Sequence, residues 1–594
     1  MSTDFMIIKR GLMTSPVVFF CSLAVFFCNV CYGAPWQEPV DKYEPVCGKR
    51  GGQLVLSIPG DPKSFNPITA KEASTSAITS YIFESLVTID HITLEVKPLL
   101  AKKWEKSDDG LQWTFYLRDD VLFNDGRKMT AEDVEFTFNE LVFNDAIPNS
   151  ARDIFTVDGE SVSVEAVDDY TVRFTVPSFF APFLTVLGSQ SVLPKHIYEP
   201  VVKKDRFNSC MGLDTSMEGV VGTGPFVLGS FYPGERIELL RNPHYWQKDA
   251  CGSQLPYLER VVYLVLPDPG ASLLRFMEQE TDYYSLTGED IAYLAPQQKE
   301  RNFTIYNTGP SFASNFIVFN QNTDKHPQTQ QYYVPLYKQK WFTDKLFRKA
   351  VALAVDRKKM IDIVFNGLGS SQHGPLTSAV SNFYNDSIEK YSRDAAGAEK
   401  ILKEIGFNDR NDDGILEDQS GNILEINFYT NANSPERVLM ASMIRKDLAD
   451  LGIKVNFVSL EFNNLVTKLT ATFDWEMMFI GFSGGSIDPQ LSKNVWHSSS
   501  GLHAWFPEQD EPATEWEKEV DDIFVRAEKE QDDQKRKNLY DHWQWIINQE
   551  LPVIYTVVPD TVFAVRNRFG NVFPSVYGGA FARIENVFVI DEED

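Results

Sequence analysis

The chain has 594 residues, of which 43% are hydrophobic and 23% charged, and its formal net charge is −27. That mix fits a globular protein of several compact units at about 100–200 residues each. Acidity of this size excludes nucleic-acid recognition, which needs a basic face; it disperses an exported protein and mildly favours cationic ligands.

Residues 1–33 have the layout of an export signal. Lys9 and Arg10 give the positive end, 17–27 is an apolar run interrupted by Cys21 and Ser22, and Cys31-Tyr32-Gly33 places small residues at the recognition positions. Cleavage is expected before Ala34, releasing the protein into the periplasm; a retained membrane anchor is the competing reading. No later stretch approaches the about 20 apolar residues of a membrane span. Cys47, Cys210 and Cys251 remain after cleavage. An oxidising compartment allows one disulfide among them, and Cys210 with Cys251 is the expected pair because both sit in loop-like stretches.

Strand and helix signals alternate from there on. Residues 54–58, 113–118, 161–166, 171–176, 261–266 and 314–320 read as strands, as do 423–429, 454–460, 476–482 and 553–558. Thr130 followed by Ala131-Glu132-Asp133 predicts a capped helix start. Asp344 opens a second helix, Ser392 caps a run ending at Gly406, and Ser434-Pro435-Glu436 starts another. Residues 511–549 hold two charged helices, and the acidic end, 591–594, reads as a solvated tail. Mixed elements of this kind give α/β lobes rather than a sandwich or a bundle.

Trp104-Glu105-Lys106-Ser107-Asp108-Asp109-Gly110 leads into a strand, then Val121-Leu122-Phe123-Asn124-Asp125-Gly126 and Met129-Thr130-Ala131-Glu132-Asp133-Val134 follow in order. This stretch resembles the hallmark segment of the family 5 bacterial extracellular solute-binding proteins, the oligopeptide and dipeptide binders of ABC importers. Gly222-Thr223-Gly224-Pro225-Phe226, the unit 268–282, and Phe342-Thr343-Asp344 through Ala354-Val355-Asp356-Arg357 are similar to later landmarks of that family. The resemblance implies a two-lobed periplasmic-binding-protein fold of the large peptide-binding class, with mixed sheets and hinge strands. Lobe I would span 34–305 with an extra subdomain at about 80–217, lobe II 306–552, and 553–594 would return to lobe I. It further implies a monomer without cofactor or catalysis, which hands a peptide or peptide-like solute to a membrane permease. The same fold could instead hold a sugar oligomer, a metal chelate or an opine-like compound.

By the same resemblance, Gly481, Phe482, Ser483 and Gly484 would pair with the ligand main chain, the glycines allowing close backbone approach. Many peptide-binding relatives carry an aspartate, which pairs with the ligand amino group, where this chain has Gly485. Asp488 could replace it, and it reads equally as a turn residue before Pro489. Ala73, Ser74 and Thr75 would form the opposite wall, or an ordinary helix start, and Trp496 with His497 could line the cleft.

Two motifs suggest other chemistry. Gly481-Phe482-Ser483-Gly484-Gly485 matches the G-x-S-x-G nucleophile elbow of a secreted serine hydrolase, with His497, His503 and His542 downstream. An elbow needs a helix at once, and Asp488-Pro489 argues against one. Asp409, Asn411, Asp413, Ile415 and Glu417 fit calcium-loop positions, but Ser420 stands where the loop needs a bidentate glutamate. A calcium-stabilised turn and an acidic hairpin without metal both stay open. No G-x-x-x-x-G-K loop occurs, so the chain is not itself an ATPase.

Overall fold

The computed structural model describes residues 35–39, 42–70, 72–149, 151–482, 484 and 486–590. The expected export signal, Ser483, Gly485 and the acidic end lie outside these residues.

The first lobe is built on a sheet in which Gln53–Ile58 runs parallel to Arg260–Val265. Arg236–Arg241 and then Phe226–Tyr232 follow antiparallel. Leu54, Leu56 and Ile58 alternate inward along the first strand and pack on Phe226, Leu239 and Val261, the period of two expected of a sheet with one buried face. The hairpin 226–241 carried no turn signal strong enough to be read in advance.

A subdomain rises from this lobe as a four-stranded antiparallel sheet of Ala101–Lys106, Gln112–Leu117, Thr171–Thr175 and Ser163–Asp168. Its core is aromatic: Phe138 meets Phe155 and Phe174 edge to face at centroid distances of 5.1 Å. The helix Ala131–Phe136 begins where the sequence places it, with Thr130 and Asp133 closing a reciprocal capping box.

The second lobe centres on a five-stranded sheet ordered Lys454–Leu460, Glu425–Asn431, Met477–Ile480, Phe316–Phe319 and Val553–Tyr555. Met477–Ile480 and Phe316–Phe319 are buried at every position, which is why both read as unbroken apolar runs. Ile317, Phe319, Met477 and Phe479 pack under the helices Lys345–Ala354 and Pro435–Ala449. Phe316, Val318, Met478 and Ile480 face the helices Glu515–Lys529 and Asp533–Glu550. One helix cap differs from expectation. Asp394, not Ser392, starts Ala395–Glu404, because its carboxylate reaches the Gly397 N–H at 2.8 Å.

Two strands cross between the lobes. Phe303–Pro310 pairs antiparallel with Val557–Arg566, and the pairing resumes beyond as Phe316–Phe319 against Val553–Tyr555. The register breaks between Asn307 and Pro310, where Gly309 takes φ +85°, a conformation L side chains rarely adopt. The crossing is therefore pinned at both ends and irregular in the middle, the layout of a hinge.

The disulfide joins Cys47 to Cys251, with Cα atoms 6.3 Å apart, and Cys210 is free. This corrects the expected Cys210–Cys251 pair. The N-terminal arm docks through the Gly51 N–H on the Tyr257 carbonyl at 2.9 Å and the Glu259 N–H on the Gly52 carbonyl at 3.0 Å, which carries Cys47 to the 249–252 turn. Cys210 instead packs against the first-lobe core and donates to the Phe207 carbonyl.

Candidate functional site

The strand Met477–Ile480 emerges from the second-lobe sheet towards the crossing. Its pairing with Phe316–Phe319 extends one step further, the Ser314 N–H donating to the Phe482 carbonyl at 3.0 Å. On the other edge, pairing with Glu425–Asn431 ends at Thr430 and Phe479. The main chain from Gly481 onward thus keeps one edge free of that ladder, a template for an added strand. A Cβ at Gly481 would lie 2.0 Å from the Ser314 carbonyl oxygen, so only glycine fits. Gly484 has open space around it.

Beside this edge lies a cavity of about 260 Å³. Its wall includes Phe312, Leu376, Phe482, Val495, Trp496 and Tyr555, with Ser314, Thr377, Ser486, Ser492 and Asn494 among its polar members and no charged side chain. Trp496 is held from behind by Trp543 and Trp505, at 5.1 and 6.0 Å between rings. The 372–380 segment is tied to the crossing through the Thr377 hydroxyl on the Ser311 carbonyl and the Gln372 N–H on the Thr556 carbonyl.

Asp488 lies under the same loop and is turned away from the cavity. Arg536 binds both of its oxygens, and the Arg536 guanidinium also reaches Tyr540, whose hydroxyl donates to Gln490. Gln490 and Lys493 both reach Glu528, so the loop 486–496 is stitched onto the two long helices.

Arg437 carried no motif in the sequence, yet it stands at the ends of the central strands. Its Nε donates to Asn315 at 3.0 Å and its Nη1 to Asn431, beside Gly481. Burial lowers its pKa, while burial and then Glu289 of the first lobe raise that of neighbouring Glu436. A helix-start pattern was the only signal in this stretch.

On the first-lobe side, Ala73 and Ser74 begin the helix Ala73–Thr79 and show surface, whereas Thr75 is buried. The Thr75 hydroxyl accepts the Lys63 N–H at 3.2 Å and so fixes the preceding loop. A larger cavity, about 620 Å³, lies in this lobe against Glu84, His91, Arg583 and Glu585. Tyr577 of its wall meets Phe312 of the smaller cavity ring to ring at 6.2 Å. The lobes also touch at one rim: the Ala181 N–H donates to the Glu528 carbonyl at 2.9 Å, and Lys529 pairs with Asp158.

The histidines considered for a triad have other partners. His497 Nδ1 lies 3.0 Å from Ser499 Oγ, buried His503 faces Glu517, and exposed His542 bonds Glu519. The strand before Gly481 leads into a loop and then the short turn Pro489–Ser492, not into the helix of an elbow. In the acidic loop, Asp409 accepts the Asp413 and Gly414 N–H groups, Asn411 accepts the Asp413 N–H, and Asp413 accepts the Ile415 N–H. Glu417 accepts the Arg410 N–H.

Residues 95–503 match the family described as bacterial extracellular solute-binding proteins, family 5. The chain belongs to this family. Oligopeptide-binding protein AppA of Bacillus subtilis is 25% identical over 91% of this chain and 92% of its own. Its structure with a nonapeptide superposes with a TM-score of 0.67, covering 92% of this chain and all of that one. The dipeptide-binding protein of Escherichia coli is 25% identical over 86% of this chain and 90% of its own. NikA of Brucella suis, solved with Fe(III)-EDTA, shares the fold at 21% identity and a TM-score of 0.72, covering 91% of this chain and all of NikA. The family 5 fold accounts for the mixed sheets and the paired lobes, and makes solute capture the role of the gap between them. Among the described residues no helix is long and apolar enough to cross a membrane.

Proposed function

We propose that this protein is the periplasmic substrate-binding component of an ABC importer, capturing peptides or peptide-like solutes as a monomer and passing them to a membrane permease without catalysis. The observation that carries the reading is the unpaired strand edge from Gly481 onward, set beside an uncharged cavity at the crossing between the lobes. Main-chain pairing with such an edge binds an extended ligand without reading its sequence. Peptide-binding relatives of matching length support the same reading. A non-peptide solute is the second reading. It is favoured by the absence of a side chain at Gly485 and by the engagement of Asp488 with Arg536, which leaves the ligand amino group without either expected carboxylate.

The test is thermal unfolding with a library of short peptides. A ligand at one hundred times its dissociation constant stabilises by about 2.7 kcal/mol. Peptides that raise the melting temperature support the proposal. No shift with any peptide, alongside a shift with a sugar oligomer or a metal chelate, transfers the role to the second reading.

A further inference from the structure

We infer that the cavity beside Phe482 receives one bulky apolar side chain of the bound ligand and discriminates against charged ones. This rests on the peptide reading above and deepens it. At about 260 Å³ the space falls below the roughly 300–1,000 Å³ of pockets that enclose a whole small ligand. It therefore holds part of a longer one. Phe312, Leu376, Phe482, Val495, Trp496 and Tyr555 present rings and aliphatic groups, and the lining carries no acid or base that could neutralise an entering charge. The one carboxylate in the adjoining loop, Asp488, is buried and paired with Arg536. Gly484 is itself part of the wall, so a ligand strand laid along residues 481–484 passes its alternate side chains across the mouth.

The walls are also braced. Trp496 backs onto Trp543, and Thr377 anchors the 372–380 segment to the crossing, so the shape does not depend on the ligand. Such a pocket gains affinity from each methylene that fits, by about tenfold or more.

The experiment is calorimetric titration of the full mature chain with alanine pentapeptides, in which one residue, Phe, Leu, Glu or Lys, is moved through every position. At one position Phe or Leu should bind at least about tenfold more tightly than Ala, and Glu and Lys more weakly than Ala. Val495→Trp, which fills the cavity, should remove the Phe preference while the all-alanine peptide still binds. Equal binding of all residues at every position, or a preference for Glu or Lys, overturns this inference and leaves peptide capture standing. Failure of every pentapeptide to bind overturns both.

Discussion

Arg536 holds both oxygens of Asp488, at 2.7 and 2.8 Å, and each side chain is only 6% exposed. The pair joins the loop beneath the small cavity to the helix Asp533–Glu550. Removing one member leaves the other charge buried without its partner, so Asp488→Ala should destabilise the protein by about 3–5 kcal/mol. Replacing both partners with apolar residues of similar size should recover most of that loss. Chemical denaturation of the single and double variants checks it. A ligand role for Asp488 would appear instead as weakened binding with unchanged stability.

Glu84 is buried, and burial pushes its pKa up to about 7 against the hydrogen bonds it accepts from Trp246 and Tyr245. The folded state therefore holds a proton that the unfolded chain, near 4.5, releases. Stability is full below about pH 4.5 and falls as pH rises towards 7, by on the order of 3 kcal/mol. His373 works in the opposite direction: burial, and then Arg357, lower its pKa to about 4, so stability falls as pH drops from 6.5 towards 4. Melting temperatures of Glu84→Gln between pH 4 and 8 should show the loss above pH 4.5 flattened and the His373 loss unmasked. An unchanged profile would show that Glu84 is already ionised in the folded protein.

At the rim, Lys529 Nζ lies 3.2 Å from Asp158, with both side chains about half exposed. Exposed pairs contribute little and are screened by salt. Lys529→Ala should weaken ligand binding by less than about fivefold, and only at low ionic strength. The Ala181-to-Glu528 main-chain bond beside it is untouched by that change. A loss of more than tenfold that persists in high salt would make the ion pair a principal closing contact.

The Cys47–Cys251 bond ties the N-terminal arm to the first lobe across a separation of 204 residues. Cys47→Ser should lower stability by about 2–4 kcal/mol and leave Cys210 as the thiol that stays shielded, since burial raises its pKa to about 11. Thiol labelling of the native variant should therefore find Cys251 first. Rapid labelling at Cys210 would contradict the packing seen here.

What could be read from the sequence was what is local. Strand runs, the Thr130 cap and the crowding that demands glycine at 481 follow from neighbours a few residues apart. What could not be read depends on distant segments meeting. Asp488 resembled a free turn carboxylate because its partner lies 48 residues away. The cavity wall draws Phe312, Leu376, Val495 and Tyr555 from four separate segments with no shared spacing. Cys47 looked no better placed than Cys210 until the arm docked on Tyr257. The expected ligand triplet 73–75 divides for the same reason: a helix start signals itself, but not which of its side chains faces the core.

The acidic loop 409–417 closes on its own backbone. Asp409, Asn411, Asp413 and Glu417 each accept main-chain N–H groups, which satisfies the turn without an ion. Asp409, Asp413 and Glu417 do not form a cluster with oxygens within 4.8 Å of one another. A calcium site needs six to eight oxygens converging at about 2.3–2.6 Å, and here the carboxylates would have to give up amide bonds to converge. Calcium added to chelator-treated protein should accordingly leave the melting temperature unchanged, and calorimetry should show no binding heat. A saturable rise in melting temperature, lost in Asp409→Asn, would show that the loop rearranges around the ion.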